Sequence, residues 1–144
     1  MQDIRWKQRY SNYHKMLNVL KNNLRYDEIP DEFVETMQIA LVKSFELSFE
    51  LMWKLLKDYL EHEEIEIGIK SPKNILKTAA NTGLLQQMDV DGDILMQIHE
   101  VRNELVHIYD QEKFGAALKG VKDIFFPEMT KVGDYFGKLA KENE

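Results

Sequence analysis

The sequence predicts an all-α fold, an up-and-down bundle of about five helices that forms one domain over residues 1–144. Three observations lead to this prediction. Apolar residues recur at steps of three and four along most of the chain. Proline and glycine are rare, at three and seven residues. Only one short segment alternates apolar and polar residues as a strand does, and no second strand exists to pair with it.

The first two helices are predicted from their apolar stripes. The first stripe comprises Tyr10, Tyr13, Leu17, Leu20 and Leu24. Pro30 interrupts the pattern, and Asp31 is well placed to cap a second helix that we expect to run to about His62. The second stripe is so broad that it predicts a central helix with neighbours on more than one side. It comprises Val34, Met37, Leu41, Phe45, Met52, Leu55 and Tyr59, with Phe49, Trp53, Leu56 and Leu60 beside it.

The third helix is predicted from its end signals. Before it, EEIEIGIK alternates isoleucines with polar residues but has no partner strand, so we interpret it as an extended loop. Ser71 then serves as N-cap, Pro72 lies in the first turn, and Gly83 ends the helix. A fourth helix is expected from Asp91 or Asp93 to about Tyr109. The tail 112–141 is expected to be helical, with a break before the proline at 127.

Composition excludes several classes of function. The formal net charge of −6 argues against broad electrostatic capture of nucleic acid, which depends on clustered Lys and Arg, although it is compatible with a small basic pocket. The chain has no cysteine, so it contains neither a disulfide nor a thiolate metal site. The polar start MQDIRWKQRY and the lack of a long apolar run lead us to expect a cytoplasmic protein that does not enter a membrane.

No metal or cofactor is predicted. The segment 89–100 carries aspartates at alternate positions, as a calcium-binding loop does, but Ile94 stands where such a loop requires glycine. Helix capping accounts for these aspartates more simply. His14 and His62 have no carboxylate or histidine at a metal-ligand spacing that stands out, and the chain has no glycine-rich phosphate loop.

The nine residues RNELVHIYD, at 102–110, concentrate chemically versatile side chains. At about 100° per residue, the apolar stripe of the fourth helix must face the core; it comprises Ile94, Ile98, Val101, Leu105 and Ile108. The opposite side carries Arg102, Asn103, His107 and Asp110, with Tyr109 near the line of Arg102 and His99 one turn earlier. Spacing alone favours an ordinary solvated face. The mixture of residue types instead favours a half-buried pocket or an interface.

Two glutamates of the second helix, Glu46 and Glu50, lie four residues apart in FELSFELMWK. One interpretation is a surface pair between Glu50 and Lys54, which contributes about a few tenths of a kcal/mol. The other is a polar cleft, because both glutamates share one face of an otherwise very apolar helix. The pattern supports the two interpretations about equally.

Three blocks of the chain resemble a known family. RNELVH has the R-x4-H spacing of HEPN domains (higher eukaryotes and prokaryotes nucleotide-binding), and RNELVHIY resembles the R-x4-H-x-Y form of HEPN partners of minimal nucleotidyltransferases. FELSFELMWKLLKDYL and SPKNILKTAANTGLL resemble segments of the nucleotidyltransferase substrate-binding protein family, in the same order and spacing. The resemblance covers about residues 10–136. Leu95 and Val106 depart from it, because an aromatic and a small polar residue are common at those positions.

The resemblance implies a homodimer whose R-x4-H helices meet across a cleft, and a minimal nucleotidyltransferase as partner in a toxin–antitoxin module. It implies a metal-independent endoribonuclease that acts through Arg102 and His107. It also implies that the partner attaches AMP to Tyr109 and thereby silences the toxin. RNA or a nucleotide is the candidate ligand.

The chemistry of these side chains fits that activity. An imidazole titrates near neutral pH, so His107 can move protons to and from a 2′-hydroxyl and a leaving oxygen. Arg102 can bind the phosphate and stabilise the charge of the transition state. Asn103 can orient the imidazole or the phosphate. The candidate supporting residues of the cleft are Glu46, Glu50 and Asp110.

Two alternatives remain beside the ribonuclease. The chain is also compatible with a non-catalytic adaptor that binds the nucleotidyltransferase and helps it to recognise a nucleotide or substrate. It is further compatible with a dimeric helical scaffold whose motif only holds the interface. The motif favours the ribonuclease, whereas the acidic charge and Val106 favour the adaptor.

Overall fold

The structure, a computed structural model, describes residues 4–108 and 111–142. Within these ranges it is a helical bundle without β-strands, which confirms the predicted fold class. The segment 63–71 lacks regular structure, as predicted. The elements are α1 (Arg5–Asn23), a 3-10 turn (Tyr26–Glu28), α2 (Asp31–His62), α3 (Pro72–Asn81), α4 (Leu84–Gln87), α5 (Gly92–Leu105), α6 (Gln111–Gly120), a π-helical turn (Val121–Phe125) and α7 (Phe126–Glu142).

The long helix α2 is the centre of the bundle, as its broad apolar stripe predicts. Helix α1 packs antiparallel to it and is fixed at both ends by polar contacts. Near the C-terminus of α2, Arg9 Nε lies 3.0 Å from the buried carboxylate of Asp58. At the opposite end, the side-chain amide of Asn23 donates to Ser44 Oγ over 3.0 Å. These contacts satisfy polar groups that would otherwise be costly to bury between the two helices.

Helix α7 closes the bundle and lies antiparallel to α1. The fully buried Tyr13 of α1 donates its hydroxyl to the backbone oxygen of Met129 over 2.6 Å. Phe125, just before α7, stacks on Phe45 of α2, with ring centres 6.2 Å apart. The core is therefore a continuous apolar and aromatic layer around α2. No helix in the described ranges has the length and apolarity needed to cross a bilayer.

Most helix ends follow the predicted signals. Ser71 Oγ caps α3 by accepting a hydrogen bond from the backbone of Asn74 over 3.3 Å. Gly83 follows α3 with φ of +84°, a left-handed conformation that glycine adopts at little cost. The expected cap at Asp31 is wrong. Pro30 occupies the capping position in an extended conformation, and Asp31 is the first helical residue, without a capping bond.

The break predicted before Pro127 is wrong, because a π-helical turn at 121–125 continues the helix from α6 into α7. A proline has no N–H, and its ring collides with the carbonyl of the residue four positions earlier in a regular α-helix. The wider π turn directly before α7 relieves this conflict, so the chain continues as a helix instead of ending. Because α6 and α7 are joined in this way and α4 is a single turn, residues 4–108 and 111–142 form five main helices, in agreement with the expected number of about five.

Candidate functional site

Helix α5 carries most of the candidate residues, and its N-terminus is anchored to α7. Asp91 caps the helix by accepting a hydrogen bond from the backbone of Asp93 over 2.9 Å. The carboxylate of Glu128 in α7 accepts a bond from the backbone N–H of Asp91 over 3.0 Å, and Lys131 pairs with that carboxylate. Asp91 therefore acts as the helix cap that the sequence predicts.

Helix α5 ends at Leu105, so the expectation that it reaches about Tyr109 is wrong for the three residues that follow. The backbone N–H of His107 bonds to the oxygen of Glu104 over 2.8 Å, three positions back, which tightens the chain into a turn. His107 consequently does not continue the line of Asn103. Tyr109 and Asp110 lie outside the described residues.

The core face of α5 is rotated from the predicted stripe. Leu95, where the family commonly has an aromatic, is fully buried together with Ile98, and Leu105 is nearly so. Ile94 and Val101, which the periodicity places at the centre of the stripe, are only half-buried. Because Leu95 takes part in the core, this rotation turns the side that carries Arg102 towards α2.

Arg102 is bound to α2 and does not project freely from the bundle as the sequence suggests. Its Nη1 lies 2.9 Å from Glu50 Oε2, and its guanidinium lies 5.0 Å from the ring centre of Phe49. The side chain is 20% exposed. A charge-assisted bond on one side and an aromatic face on the other hold the planar guanidinium in one place.

The carboxylate of Glu50 accepts hydrogen bonds from several donors. Its Oε2 also accepts a bond from the indole N–H of Trp53 over 3.1 Å, and its Oε1 lies 3.1 Å from Lys54 Nζ. Burial alone would raise the pKa of Glu50, but these bonds and the one from Arg102 together lower it. The surface pair with Lys54 is thus present, and the polar cleft stays a prediction. Glu46, one turn earlier, is half-buried.

His99 lies beside Arg102, and no role is predicted for His99 from the sequence. Its ring stacks on Phe49 with centres 5.6 Å apart, so Phe49 contacts both polar side chains. The inner Nδ1 of His99 is buried and has no hydrogen-bond partner among the described residues. Burial lowers the pKa of His99, and the charge of Arg102 acts in the same direction. The three-residue spacing of the two side chains is the signal that could have revealed this cluster.

His107 and Asn103 are exposed, as is Val106 between them, at 59%. A groove that is lined by Gln111 of α6 and Gln38 of α2 places the start of α6 beside the N-terminal half of α2. The arrangement thus offers a fixed guanidinium and, beyond the end of α5, an imidazole that solvent or another molecule can reach.

Comparison with known proteins identifies the family. Residues 8–136 match the family described as nucleotidyltransferase substrate binding protein like. The chain belongs to this family. The match confirms the resemblance seen in the three sequence blocks. The chain is also 30% identical over 101 residues to the probable ribonuclease HepT of Haemophilus influenzae, strain ATCC 51907 / DSM 11121 / KW20 / Rd. The aligned residues make up 68% of this chain and 66% of that relative.

Proposed function

We propose that this family member is the HEPN subunit of a two-component module with a minimal nucleotidyltransferase, and that it cleaves RNA without a metal through Arg102 and His107. The anchored guanidinium of Arg102 is the observation that carries the proposal. Its Nη1 bonds to Glu50, and a guanidinium has five N–H donors, so donors remain for phosphate oxygens. The HepT relative is itself a probable ribonuclease, which agrees with this activity.

In the proposed reaction, His107 removes the proton of a 2′-hydroxyl, and the oxygen attacks the adjacent phosphorus. The bond from phosphorus to the 5′-oxygen breaks, and a second imidazole returns a proton to that oxygen. The products are a 2′,3′-cyclic phosphate and a 5′-hydroxyl. Arg102 stabilises the negative charge on the phosphoryl oxygens, and Asn103 orients the imidazole or the phosphate.

A homodimer would supply the second imidazole, because one chain carries a single R-x4-H pair. Val106 supports this arrangement, since an exposed valine beside His107 is suited to contact with an apolar surface. Ile39 on the N-terminal half of α2 is likewise exposed, at 65%. We propose that a second copy covers this side and brings two His107 side chains to one cleft.

The proposal also assigns supporting roles. Glu50 positions Arg102, while Glu46 and Asp110 line the cleft. Tyr109 is the residue to which the nucleotidyltransferase attaches AMP, and the bulky anion then occupies Arg102 and excludes the substrate phosphate. Both components act in the cytoplasm, where RNA and ATP are available.

A second candidate function is a non-catalytic adaptor that binds the nucleotidyltransferase and its nucleotide or substrate. The formal net charge of −6 is the observation that favours it, because an acidic chain is poorly suited to binding polyanionic RNA. Cleavage assays separate the two functions. The ribonuclease proposal predicts cleavage of RNA in the presence of EDTA, with 2′,3′-cyclic phosphate ends; an adaptor leaves RNA intact.

A further inference from the structure

A groove of about 540 Å³ lies between α1 and α7, formed by residues other than those of the R-x4-H site. Its volume is within the range of ligand-binding sites, about 300–1,000 Å³. Two glycines of α7 form part of its wall. A Cβ at Gly137 would meet the hydroxyl of Tyr10 at 2.8 Å, and one at Gly133 would meet Leu17 at 3.4 Å. The missing side chains therefore let the tyrosine ring lie directly against α7.

The groove carries positive charge at both ends. Lys21 lies at one end, and Lys138 and Lys141 lie at the other. None of the three makes an ion pair within the ranges 4–108 and 111–142. Asp134 is the acidic residue of the lining, so the groove has a net charge of about two positive units, whereas the whole chain has −6.

Helix dipoles offer an alternative reason for two of these lysines. Lys21 and Lys141 belong to the last turns of α1 and α7, where a positive side chain is favourable. Lys138 is not in that position, and the dipole does not explain why all three lysines border one groove. The charge distribution therefore points to an anionic ligand.

Aromatic and polar groups line the groove between the lysines. The rings of Tyr10 and His14 lie 5.8 Å apart, and Phe126 lies near the opposite end. Thr130 Oγ1 is buried there without a hydrogen-bond partner among the described residues. Aromatic faces combined with a basic track are the features that bind single-stranded nucleic acid independently of its sequence.

The length of the groove distinguishes a strand from a single nucleotide. Residues 10 to 21 of α1 border it, and at 1.5 Å per residue they span about 16 Å. The phosphates of one nucleotide would reach the lysines at one end only. A stacked strand rises about 3.4 Å per nucleotide, so about five nucleotides would contact both ends. We propose that this groove binds a single-stranded segment of RNA.

This inference rests on the proposed ribonuclease function, for which the groove is a second contact with the substrate. The test measures binding of fluorescein-labelled decauridylate by fluorescence anisotropy in a His107→Ala background, which prevents cleavage. The groove variant replaces Lys21, Lys138 and Lys141 with glutamate. Its matched control replaces Lys15, Lys77 and Lys119 with glutamate as well, and these lysines are exposed and do not line the groove. Both variants change the net charge equally.

At about 50 mM salt, we expect the affinity of the groove variant for decauridylate to be lower by about tenfold or more. The slope of log K against log salt concentration should also become shallower by about two, because each of three lost phosphate contacts contributes about 0.7. Asp134→Asn is expected to strengthen binding, and His14→Ala to weaken it about fivefold through lost stacking. The control should bind within about twofold of the parent.

Equal losses in the groove and control variants would overturn the proposal, as would unchanged binding in both. Binding that ATP displaces as effectively as unlabelled decauridylate would show a single-nucleotide site and would also overturn it. The ribonuclease proposal fails separately. If the wild-type protein leaves RNA intact while groove-dependent binding persists, the RNA-binding groove is supported and the ribonuclease assignment is contradicted.

Discussion

Arg102 and Glu50 form an ion pair between α5 and α2, with Nη1 2.9 Å from Oε2. The same carboxylate oxygen accepts a bond from Trp53, and Phe49 lies under the guanidinium. An arginine that is held on two sides loses little conformational entropy when it binds a phosphate. Through this pair, the central helix α2 holds Arg102 in position for the proposed binding of a phosphate.

Glu50→Gln removes the charge that holds Arg102, so we expect RNA cleavage to fall about tenfold. Unfolding free energy should fall by about 1 kcal/mol or less, since the carboxylate is 36% exposed and solvent screens it. Because the pKa of Glu50 is lowered, the contribution of Glu50 to folding stability is complete at neutral pH and is lost as the pH falls below 4.5, the ordinary pKa of a glutamate.

Glu50→Asp should restore part of the cleavage activity, and Glu32→Gln, exposed on the same helix, should retain it. Faster cleavage by Glu50→Gln would show that Glu50 restrains Arg102 and would contradict a positioning role.

Val106→Glu should convert the proposed homodimer to a monomer, because it would place a charge in the apolar contact between two copies. Light scattering coupled to size-exclusion chromatography at micromolar concentration measures this. Val19→Glu, the same change at another exposed valine, should remain dimeric. A wild-type protein that is strictly monomeric under these conditions would eliminate the two-chain site.

Tyr109→Phe should abolish modification by the cognate nucleotidyltransferase. Incubation of the wild-type protein with that enzyme and ATP should add one or more AMP units, which mass spectrometry maps to Tyr109. Tyr26→Phe serves as the matched control and should be modified normally. An adduct at another residue, or none, would defeat the assignment.

His99→Phe should stabilise the fold more at about pH 5.5 than at about pH 8. The pKa of His99 is lowered in the folded state, so the unfolded chain binds a proton more readily once the pH falls below 6.5. Stability is thus complete above 6.5 and falls with acidification. His99→Gln should also remove this pH dependence but should not stabilise the fold, because it keeps polar atoms at a position where burial favours an apolar replacement. An identical Tm difference between wild type and His99→Phe at both pH values would refute this account.

The fold could be predicted well because its determinants are local. The stripe of α2, the cap at Ser71 and the left-handed Gly83 depend on residues within a few positions of one another. The end of α5 could not be predicted. No glycine or proline marks Leu105 as its last residue, and a tight turn to His107 follows it.

The candidate site was predictable in composition but not in contacts. R-x4-H spacing predicts a site at Arg102 and His107, which stays a prediction, while the family match confirms the resemblance of the sequence blocks. The partner of Arg102 lies 52 residues away in α2, so helical spacing within α5 could not reveal it. The rotation of α5 that buries Leu95 depends on tertiary packing, and the same rotation brings His99 onto Phe49.

The rate of RNA cleavage by His107→Ala in EDTA tests the central claim most directly. Because His107 is exposed, the substitution should leave Tm unchanged. Loss of a general acid or base should lower the cleavage rate by a factor of about 10² or more. Wild-type protein in the same assay should produce 2′,3′-cyclic phosphate ends. Unchanged cleavage by the folded variant would contradict the mechanism, and intact RNA with wild-type protein would favour the adaptor.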